Sequence, residues 1–235
     1  MSRPVLGAIV QGGVIAAGQG QRLRSGGWRG GKAMAPVAGR PLIDHTLDRL
    51  RAAGVGRLTV IVNEESPELV QRLEACAGFD LALIVRTTPS SYASFCVVTD
   101  ALADGPAVIT TVDTVMPTDG FLRFLDAASR LPADAVVLGV TDQVDDESPL
   151  WATVDPADGR VLELGAASGT HVTAGLYVLP GRRPPRPPAG CDRLRTYLGW
   201  LLSSGWPVFA IAVEGVFDID RPHDITQAES ALQGA

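Results

Sequence analysis

The residues best suited to chemistry lie in a glycine-rich loop near the start of the chain. A buried strand, predicted over residues 13–17, leads directly into Gly18-Gln19-Gly20. Glycines at the carboxyl end of a parallel strand let the backbone approach a ligand, and successive N–H groups there form an anion site. Because Arg22 and Lys32 add two positive charges, the segment predicts a polyphosphate site. A tight glycine turn beside two surface cations is the alternative. The loop has neither the third glycine of a dinucleotide fingerprint nor the Gly-Lys-Ser/Thr of a Walker A loop.

Lysine usage singles out one position. The chain contains 20 lysine and arginine residues, and Lys32 is the only lysine among them. A compact ammonium differs from a guanidinium in geometry and hydration, so a single lysine in an arginine-rich chain indicates a specific requirement. Chance is the alternative, and the place of Lys32 within a larger motif decides between the two.

Three short motifs together resemble the nucleotidyltransferase superfamily, which includes sugar-1-phosphate nucleotidyltransferases, molybdopterin guanylyltransferases and the cytidylyltransferases of small alcohol phosphates. The family signature is Ala-Ala-Gly-x-Gly-x-Arg, then a lysine, then Gly-Lys/Arg-Pro-Leu at a helix start. This chain has residues 16–22, Lys32 and residues 39–42 at those places, with Gly31 where the family usually has proline. The resemblance implies phosphate-binding catalytic roles for Arg22 and Lys32. It also implies nucleotide binding by Ala16, Ala17, Gly18, Gln19, Gly20 and Gln21.

Two aspartates extend the resemblance to a metal site. Asp113 follows a strand predicted over residues 107–112, where the family holds its first metal-binding aspartate. The segment FDIDRPHDI, residues 217–225, is similar to the family's Asp-Thr-Pro-x-Asp element and puts Asp220 at the second metal position. Carboxylates from distant strand ends suit Mg²⁺, which takes oxygen ligands together with substrate phosphates. Asp218 is the rival to Asp220, and a helix cap or a turn is the alternative role for the predicted pair.

Weaker signals surround the expected substrate positions. Residues 87–94 lie where the family reads the nucleobase, and Ser94 is the candidate nucleotide contact, with a helix N-cap as the alternative for this serine cluster. Gly175 resembles the glycine of the family's Asn-Ala-Gly strand, which implies that its backbone meets the acceptor. Thr173 replaces the usual asparagine, and the Gln…Gly-Thr pattern of the typical sugar-nucleotide enzymes is missing. The base and the acceptor therefore stay open.

Strand and helix patterns alternate along most of the chain. Apolar runs such as residues 58–62 and 107–112 predict buried strands, and the amphipathic residues 41–53 predict a helix with proline in its first turn. The alternation predicts a single α/β domain with a mixed, largely parallel sheet flanked by helices. The resemblance implies a Rossmann-like nucleotidyltransferase fold. We interpret residues 1–12 as a leader or an extension of the first strand, and residues 13–235 as the nucleotidyltransferase domain.

Composition limits the possible function classes. The 235 residues suffice for one α/β domain, and 46% hydrophobic residues with a mean hydropathy of +0.18 supply a sizeable core. A net charge of −6 argues against a protein that coats nucleic acid, which needs a basic face. No apolar run is long enough for a membrane helix, and three cysteines are too few for a disulfide framework. We expect a cytoplasmic protein without nucleic-acid or membrane partners, and the sequence leaves open whether it forms a homodimer.

The combined interpretation is a Mg²⁺-dependent nucleotidyltransferase. The resemblance implies attack by an acceptor phosphate on the α-phosphorus of a nucleoside triphosphate, with release of pyrophosphate. The lead acceptor is a sugar 1-phosphate, and molybdopterin and small alcohol phosphates are the alternatives. A glycosyltransferase would need an Asp-x-Asp pair, but this chain reads Asp113-Thr114-Val115 at that point. A nucleotide-binding module without turnover is the alternative from a different class.

Overall fold

A sheet of nine strands organises the computed structural model, which describes residues 5–144, 148–187 and 190–233. The strands are β1 (Gln11–Ala16), β2 (Pro36–Val37), β3 (Arg40–Pro41), β4 (Arg57–Val62), β5 (Asp80–Val85), β6 (Ala107–Thr111), β7 (Thr114–Val115), β8 (Val136–Thr141), β9 (Trp151–Val154), β10 (Val161–Leu164), β11 (His171–Leu179), β12 (Val208–Ala212) and β13 (Phe217–Asp218). The helices are α1 (Gln21–Ser25), α2 (Leu42–Ala52), α3 (Pro67–Glu74), α4 (Ser91–Ala101), α5 (Thr118–Ser129), α6 (Leu194–Ser203) and α7 (Pro222–Gln233), and Lys32–Met34 forms a 3₁₀ turn.

Four neighbouring strands, in the order β6-β1-β4-β5, form the parallel half of the sheet. Their register brings the carboxyl ends together: Ile15 lies opposite Thr111, and Ala16 lies opposite Val62. The loops that follow β1, β4 and β6 therefore meet at one edge. In open α/β sheets, this edge is where ligands bind.

The long strand β11 joins the parallel half to the rest of the sheet. It pairs antiparallel with β6 through Leu176–Leu179 and antiparallel with β8, which in turn pairs parallel with β12. The register of β11 against β8 shifts between Thr173 and Tyr177, a bulge that contains Gly175. The predicted single α/β domain with a mixed sheet flanked by helices is confirmed.

Helices cover both faces of the sheet with their apolar sides. Apolar residues of α2, α3 and α5, among them Leu50 and Phe121, are buried on one face. Residues of α4 and α6, among them Phe95 and Leu198, are buried on the other. A third and smaller cluster includes Leu23 and links α1 to α7 next to the glycine-rich loop.

β1 begins two residues before the strand predicted over residues 13–17. Gln11 and Gly12 belong to β1, as an extension of the first strand would require. Leu6 and Ile9 are buried in the main core, and the Leu6 N–H donates to the Leu131 carbonyl at 2.9 Å. Residues 1–4 of the expected leader lie outside the described residues.

Within the described ranges, no helix combines the length and apolar character needed to cross a membrane.

Candidate active site

The loop after β1 forms one wall of a cavity at the carboxyl edge of the sheet. Gly20 has a φ of +62°, and a Cβ at this position would lie 2.8 Å from the Cβ of Lys32. Left-handed backbone and lack of space both require glycine there. Gly18 faces open space, so its backbone borders the cavity. The two glycines of the motif therefore act differently: Gly20 leaves space for the Lys32 side chain, and Gly18 leaves space for a ligand.

The glycine-rich segment between α1 and Lys32 is anchored at both ends. Gly26 lies so close to Pro222, the first residue of α7, that a side chain at position 26 would collide with the proline ring. The Trp28 indole N–H donates to the Gly31 carbonyl at 3.1 Å. The close approach of Gly26 and Pro222 holds the end of α1 against the start of α7, where Arg22 pairs with Asp220.

Two very short strands bring the acidic segments together. β7 and β13 pair antiparallel with Asp218 opposite Thr114, and the Ile219 N–H donates to the Asp113 carbonyl at 3.1 Å. Carboxylate oxygens of Asp113, Asp218 and Asp220 consequently lie within 4.8 Å of one another. We call these three residues the aspartate cluster. Such a set of carboxylate oxygens is the donor set that Mg²⁺ prefers.

Lys32 extends into the aspartate cluster. Its side chain is 8% exposed, and its Nζ lies 2.5 Å from Asp113 Oδ2 and is also paired with Asp220. Burial lowers the pKa of the ammonium, but the carboxylates of Asp113, Asp218 and Asp220 outweigh burial and raise the pKa above its usual value. At Asp113, burial raises the pKa, and the charge of Lys32 outweighs it and lowers the pKa. Lys32 therefore stays charged and offsets the negative charge of the cluster.

Arg22 reaches the same cluster from α1. Its Nη1 lies 2.5 Å from Asp220 Oδ2, and its side chain is 48% exposed. The backbone N–H of Asp220 donates to Asp224 Oδ2 at 2.8 Å, so a side chain from the first turn of α7 fixes the backbone at Asp220. Asp220 is thus shared by Arg22 and Lys32, which places the two predicted catalytic cations on one carboxylate.

Arg49 of α2 supports the short strand β7 through a hydrogen bond. Its Nη2 donates to the Thr114 carbonyl at 2.7 Å, and the residue is only 4% exposed. Burial lowers the pKa of its guanidinium to about 10. Arg49 therefore stays charged at neutral pH and gives the carbonyl next to Asp113 a charged hydrogen bond.

Replacing Arg49 by methionine should lower the free energy of unfolding by about 1–3 kcal/mol, because the buried Thr114 carbonyl loses its donor. Arg123→Met on α5 is the matched control, since the Arg123 side chain is 68% exposed and its ion pair with Asp119 is solvated. Urea denaturation of both variants measures the difference. Equal losses for the two would show that the contact with Thr114 adds no stability.

Two cavities meet at Asp113. The first has a volume of about 500 Å³ and is lined by Ile15, Ala17, Gly18, Gln19, Gly20, Gln21, Arg22, Lys32, Asn63, Thr87, Thr88, Pro89, Ser90, Ser91, Ser94, Thr111, Val112, Asp113 and Asp220. The second has a volume of about 210 Å³ and is lined by Thr111, Asp113, Thr141, Gln143, Pro149, Leu150, Val172, Thr173, Ala174, Gly175, Tyr177, Arg195, Val216 and Asp218. Because Asp113 lines both cavities, with Asp220 on the first and Asp218 on the second, the aspartate cluster stands between them.

The serine-rich segment before α4 contributes to the first cavity in two ways. Ser90 Oγ accepts from the Ala93 N–H at 3.1 Å and caps α4, which is the alternative role considered for the serine cluster. Ser94 is 3% exposed, and its hydroxyl lies 2.6 Å from the Thr88 hydroxyl. Ser94 therefore belongs to the cavity wall, where its hydroxyl is held by Thr88.

Asn63 is a site residue that the sequence did not reveal. It follows β4, is 3% exposed, and donates from Nδ2 to the Ala17 carbonyl at 3.4 Å. Its Oδ1 accepts from the Glu65 N–H at 2.8 Å, which fixes the orientation of the amide. A polar residue directly after the buried run 58–62 was the available signal, since parallel strands end at the ligand edge.

Tyr177 and Arg195 are two of the polar residues that line the second cavity. Burial, with the nearby charges of Asp113 and Asp218, raises the pKa of Tyr177 above its usual value, so its phenol stays protonated. Arg195 lies on the cavity wall, and its Nη2 donates to the Ser148 carbonyl at 2.9 Å. The cavity thus combines a hydroxyl donor with a guanidinium, next to two aspartates.

Comparison with known proteins identifies the family. Residues 12–181 match the family described as a MobA-like NTP transferase domain. The chain belongs to this family. This MobA-like domain is 29% identical over 153 residues to the bifunctional protein GlmU of Pelobacter propionicus, covering 64% of the chain and 32% of that protein. It is 30% identical over 155 residues to a glucose-1-phosphate thymidylyltransferase of Actinoplanes sp., covering 64% of the chain and 50% of the relative.

The curated relatives are longer than this chain, and a solved structure matches its fold. The chain spans about a third of the length of the first curated relatives it matches. The structure of the inositol-1-phosphate CTP transferase from T. maritima has a TM-score of 0.78 at 18% identity, and the match covers 98% of this chain and 99% of that one. At this identity the likeness concerns the fold, which extends over nearly the whole MobA-like domain.

Most of the predicted site residues come together in the first cavity. The predicted nucleotide-binding residues that line it are Ala17, Gly18, Gln19, Gly20, Gln21 and Ser94. Arg22, Lys32, Asp113 and Asp220 line it as well. Ala16 does not: it is the last residue of β1, is 4% exposed and lies in the core. Asp218, left as the rival of Asp220, joins it in one cluster.

Gly175 lies in the second cavity, but a packing contact also requires it to be glycine. Its φ is +63°, and a Cβ would lie 2.5 Å from the Thr111 hydroxyl and closer still to that of Thr114. These hydroxyls are 2.9 Å apart, and Thr114 Oγ1 donates to the Ala174 carbonyl at 3.2 Å. The bulge of β11 therefore rests on the threonines on either side of Asp113.

Gly175→Ala should destabilise the domain by roughly 2–4 kcal/mol, because it adds a steric collision to an unfavourable backbone conformation. Gly54→Ala is the matched control, since Gly54 has a φ of +74° and open space around its Cβ position. Thermal or urea unfolding of the two variants separates backbone strain from collision. If Gly175→Ala cost no more than Gly54→Ala, the contact with the threonines would not determine the residue type.

Proposed function

We propose that this MobA-like domain transfers a nucleoside monophosphate from a nucleoside triphosphate to the phosphate of a sugar phosphate and releases pyrophosphate. The observation that carries the proposal is the meeting of two cavities at Asp113, with Lys32 and Arg22 on the side of the first. Joining two phosphorylated molecules requires both to lie side by side at a centre that tolerates their combined negative charge.

In this proposal the first cavity holds the triphosphate. The backbone of residues 17–21 borders the phosphates, because the loop presents glycine where a side chain would occupy the cavity. Arg22 and Lys32 offset the charge that develops on the leaving pyrophosphate. Ser94 and Asn63 lie on the same cavity wall and are the candidates for polar contacts to the nucleoside.

The aspartate cluster is the proposed Mg²⁺ site, with Asp113, Asp218 and Asp220 as ligands. When bound, Mg²⁺ would supply positive charge to the phosphate oxygens of both substrates. The residues fit this role because they offer carboxylate oxygens alone and because Lys32 already compensates part of their charge. The acceptor phosphate is itself an anion at neutral pH, so no residue has to act as a general base.

The second cavity is the proposed acceptor site. Its polar groups include the Tyr177 phenol, Thr141, Gln143 and Arg195, which suit a hydroxylated ring with an anionic group. Its volume of about 210 Å³ is below the range typical of drug-sized ligands, which favours a single-ring acceptor over the larger molybdopterin. The names of a glucose-1-phosphate thymidylyltransferase and an inositol-1-phosphate CTP transferase among the similar proteins support the same choice.

We place the reaction in the cytoplasm. This proposal rests on the sequence, whose three scattered cysteines are too few for the disulfide framework of a small secreted protein.

Pyrophosphate release tests the proposed function. The purified chain with Mg²⁺ is combined with ATP, CTP, GTP, UTP or dTTP and with glucose 1-phosphate, N-acetylglucosamine 1-phosphate, inositol 1-phosphate or glycerol 3-phosphate. Release that requires one triphosphate and one sugar or inositol phosphate supports the proposal and names both substrates. Release only with glycerol 3-phosphate would replace the acceptor class. Binding of a triphosphate, detected as a higher melting temperature, without release on any acceptor would favour the non-catalytic module.

A further inference from the structure

β5 is an open edge of the sheet within the described residues: it pairs with β4 and with no other strand. The Asp80 N–H donates to the Gly56 carbonyl at 2.8 Å, and the Arg86 N–H donates to the Val62 carbonyl at 2.9 Å. Because successive residues of a strand direct their backbone groups to opposite sides, the even-numbered residues face β4. The N–H and C=O groups of Leu81, Leu83 and Val85 therefore point outward from the sheet.

This edge lacks the features that usually prevent strand pairing. Natural edge strands carry proline, lysine or a bulge, or are very short. β5 reads DLALIV, has no proline or lysine, carries its one charged residue, Asp80, at the first position, and keeps an unbroken register with β4 over its whole length. Val85 is 45% exposed, and Leu83 and Ile84 are half-buried on the two faces of the strand. The outward backbone groups of β5 therefore have no strand partner within the described residues, and its side chains are mostly apolar.

We propose that β5 pairs antiparallel with β5 of a second copy of this chain, about a two-fold axis at Leu83. In this register Leu83 lies opposite its own copy, and Leu81 lies opposite Val85 of the second copy. These are outward-facing residues, so each such pair can exchange backbone hydrogen bonds. The interface is isologous and closes after two chains, which extends the sheet without starting a fibre.

Charge complementarity selects this register. It places Asp80 opposite Arg86 of the second copy, and two-fold symmetry makes that pair twice. Both residues are exposed, and they fall at a non-hydrogen-bonded position, where facing side chains approach most closely. Asp80 also pairs with Arg57 of its own chain at 3.3 Å. A shift by two residues in either direction would put Asp80 opposite Ile84 or Thr88, so neither Asp80 nor Arg86 would face an opposite charge on the second copy. The paired strands also support residues 87–91, which follow β5 and line the first cavity.

Sedimentation velocity over a range of protein concentrations tests the proposal. We expect a reversible dimer whose dissociation constant rises about tenfold or more in Asp80→Arg, because two arginines then face each other at each end. Val85→Pro should weaken the dimer similarly, since it removes an outward N–H that makes no contact in the monomer. The matched control is Asp119→Arg on α5, which makes the same charge change at a side chain that is 68% exposed.

The charge swap decides whether the register is correct. The double variant Asp80→Arg/Arg86→Asp restores opposite charges across the proposed axis, so it should recover the wild-type dissociation constant. A wild-type chain that stays monomeric at all concentrations would overturn the proposal. A dimer that is indifferent to Asp80→Arg and Val85→Pro would place the interface elsewhere, and a double variant as weak as Asp80→Arg would overturn the register.

Discussion

Lys32→Met should reduce turnover by at least about 100-fold, the loss typical of removing one donor that stabilises charge in a transition state. Methionine keeps the length of the side chain and its contact with Gly20, and it removes the ammonium that lies 2.5 Å from Asp113 Oδ2. In the proposed reaction this ammonium meets the triphosphate at the point where the two cavities join. Steady-state pyrophosphate release with saturating substrates measures the loss.

The same substitution should also change stability, and in a way that depends on the metal. Without Lys32 the three carboxylates of the aspartate cluster lie within 4.8 Å of one another with less compensating charge. We expect the metal-free variant to be about 2 kcal/mol less stable than the wild type, less than for a fully buried pair because Asp113 and Asp220 are partly exposed. Mg²⁺ supplies positive charge at the same place, so it should raise the melting temperature of the variant more than that of the wild type.

Arg24→Met is the control for Lys32→Met. Arg24 belongs to the neighbouring α1, is exposed and does not line either cavity, so the net charge changes equally without touching the site. Wild-type turnover in Lys32→Met would contradict the proposed contact with phosphate. An equal Mg²⁺-induced rise in melting temperature for Lys32→Met and the wild type would show that the ammonium does not compensate the aspartates.

Local sequence patterns predicted the part of the site that is continuous in the chain. The glycine loop, Arg22 and Lys32 lie within one segment, and Gly20 and Lys32 are in direct contact in the fold. The alternation of apolar runs and amphipathic segments also predicted the class of the fold, because its periodicity reports burial directly. The start of β1 was misplaced by two residues, since Gln11 and Gly12 carry no apolar signal although both are buried.

Contacts between distant segments were beyond these patterns. The family resemblance implied that Asp113 and Asp220 share a metal site and left Asp218 as a rival. β7 and β13 contain two residues each, too few for any periodicity, so the pairing that brings all three aspartates into one cluster could not be predicted. Arg49 could have been noticed as a charged residue on the apolar side of α2, but its partner, the Thr114 carbonyl, is 65 positions away. The role of Gly175 was inferred from its neighbours in sequence, whereas the threonines that exclude a side chain come from two other strands, β6 and β7.

Asp113→Asn should raise the Mg²⁺ concentration needed for half-maximal activity by about tenfold or more, since it removes one negative charge from the proposed ligand set without changing its size. Turnover at saturating Mg²⁺ should fall as well, because Asp113 lines both cavities and the other two aspartates line one each. Calorimetric titration with Mg²⁺ alone gives the affinity independently of activity. Asp126→Asn on α5, with a side chain 60% exposed, is the matched control.

Comparison with Asp218→Asn and Asp220→Asn then separates two effects that Asp113→Asn combines. Asp220 also pairs with Arg22 and Lys32, so its replacement disturbs the cations of the first cavity, whereas Asp218 lines the second cavity. A metal ligand should lower the calorimetric Mg²⁺ affinity when replaced, and a residue that only holds a cation should lower turnover at unchanged affinity. If Asp113→Asn left the Mg²⁺ affinity unchanged, Asp113 would be the counter-ion of Lys32, and the metal site would rest on the two aspartates that flank Ile219.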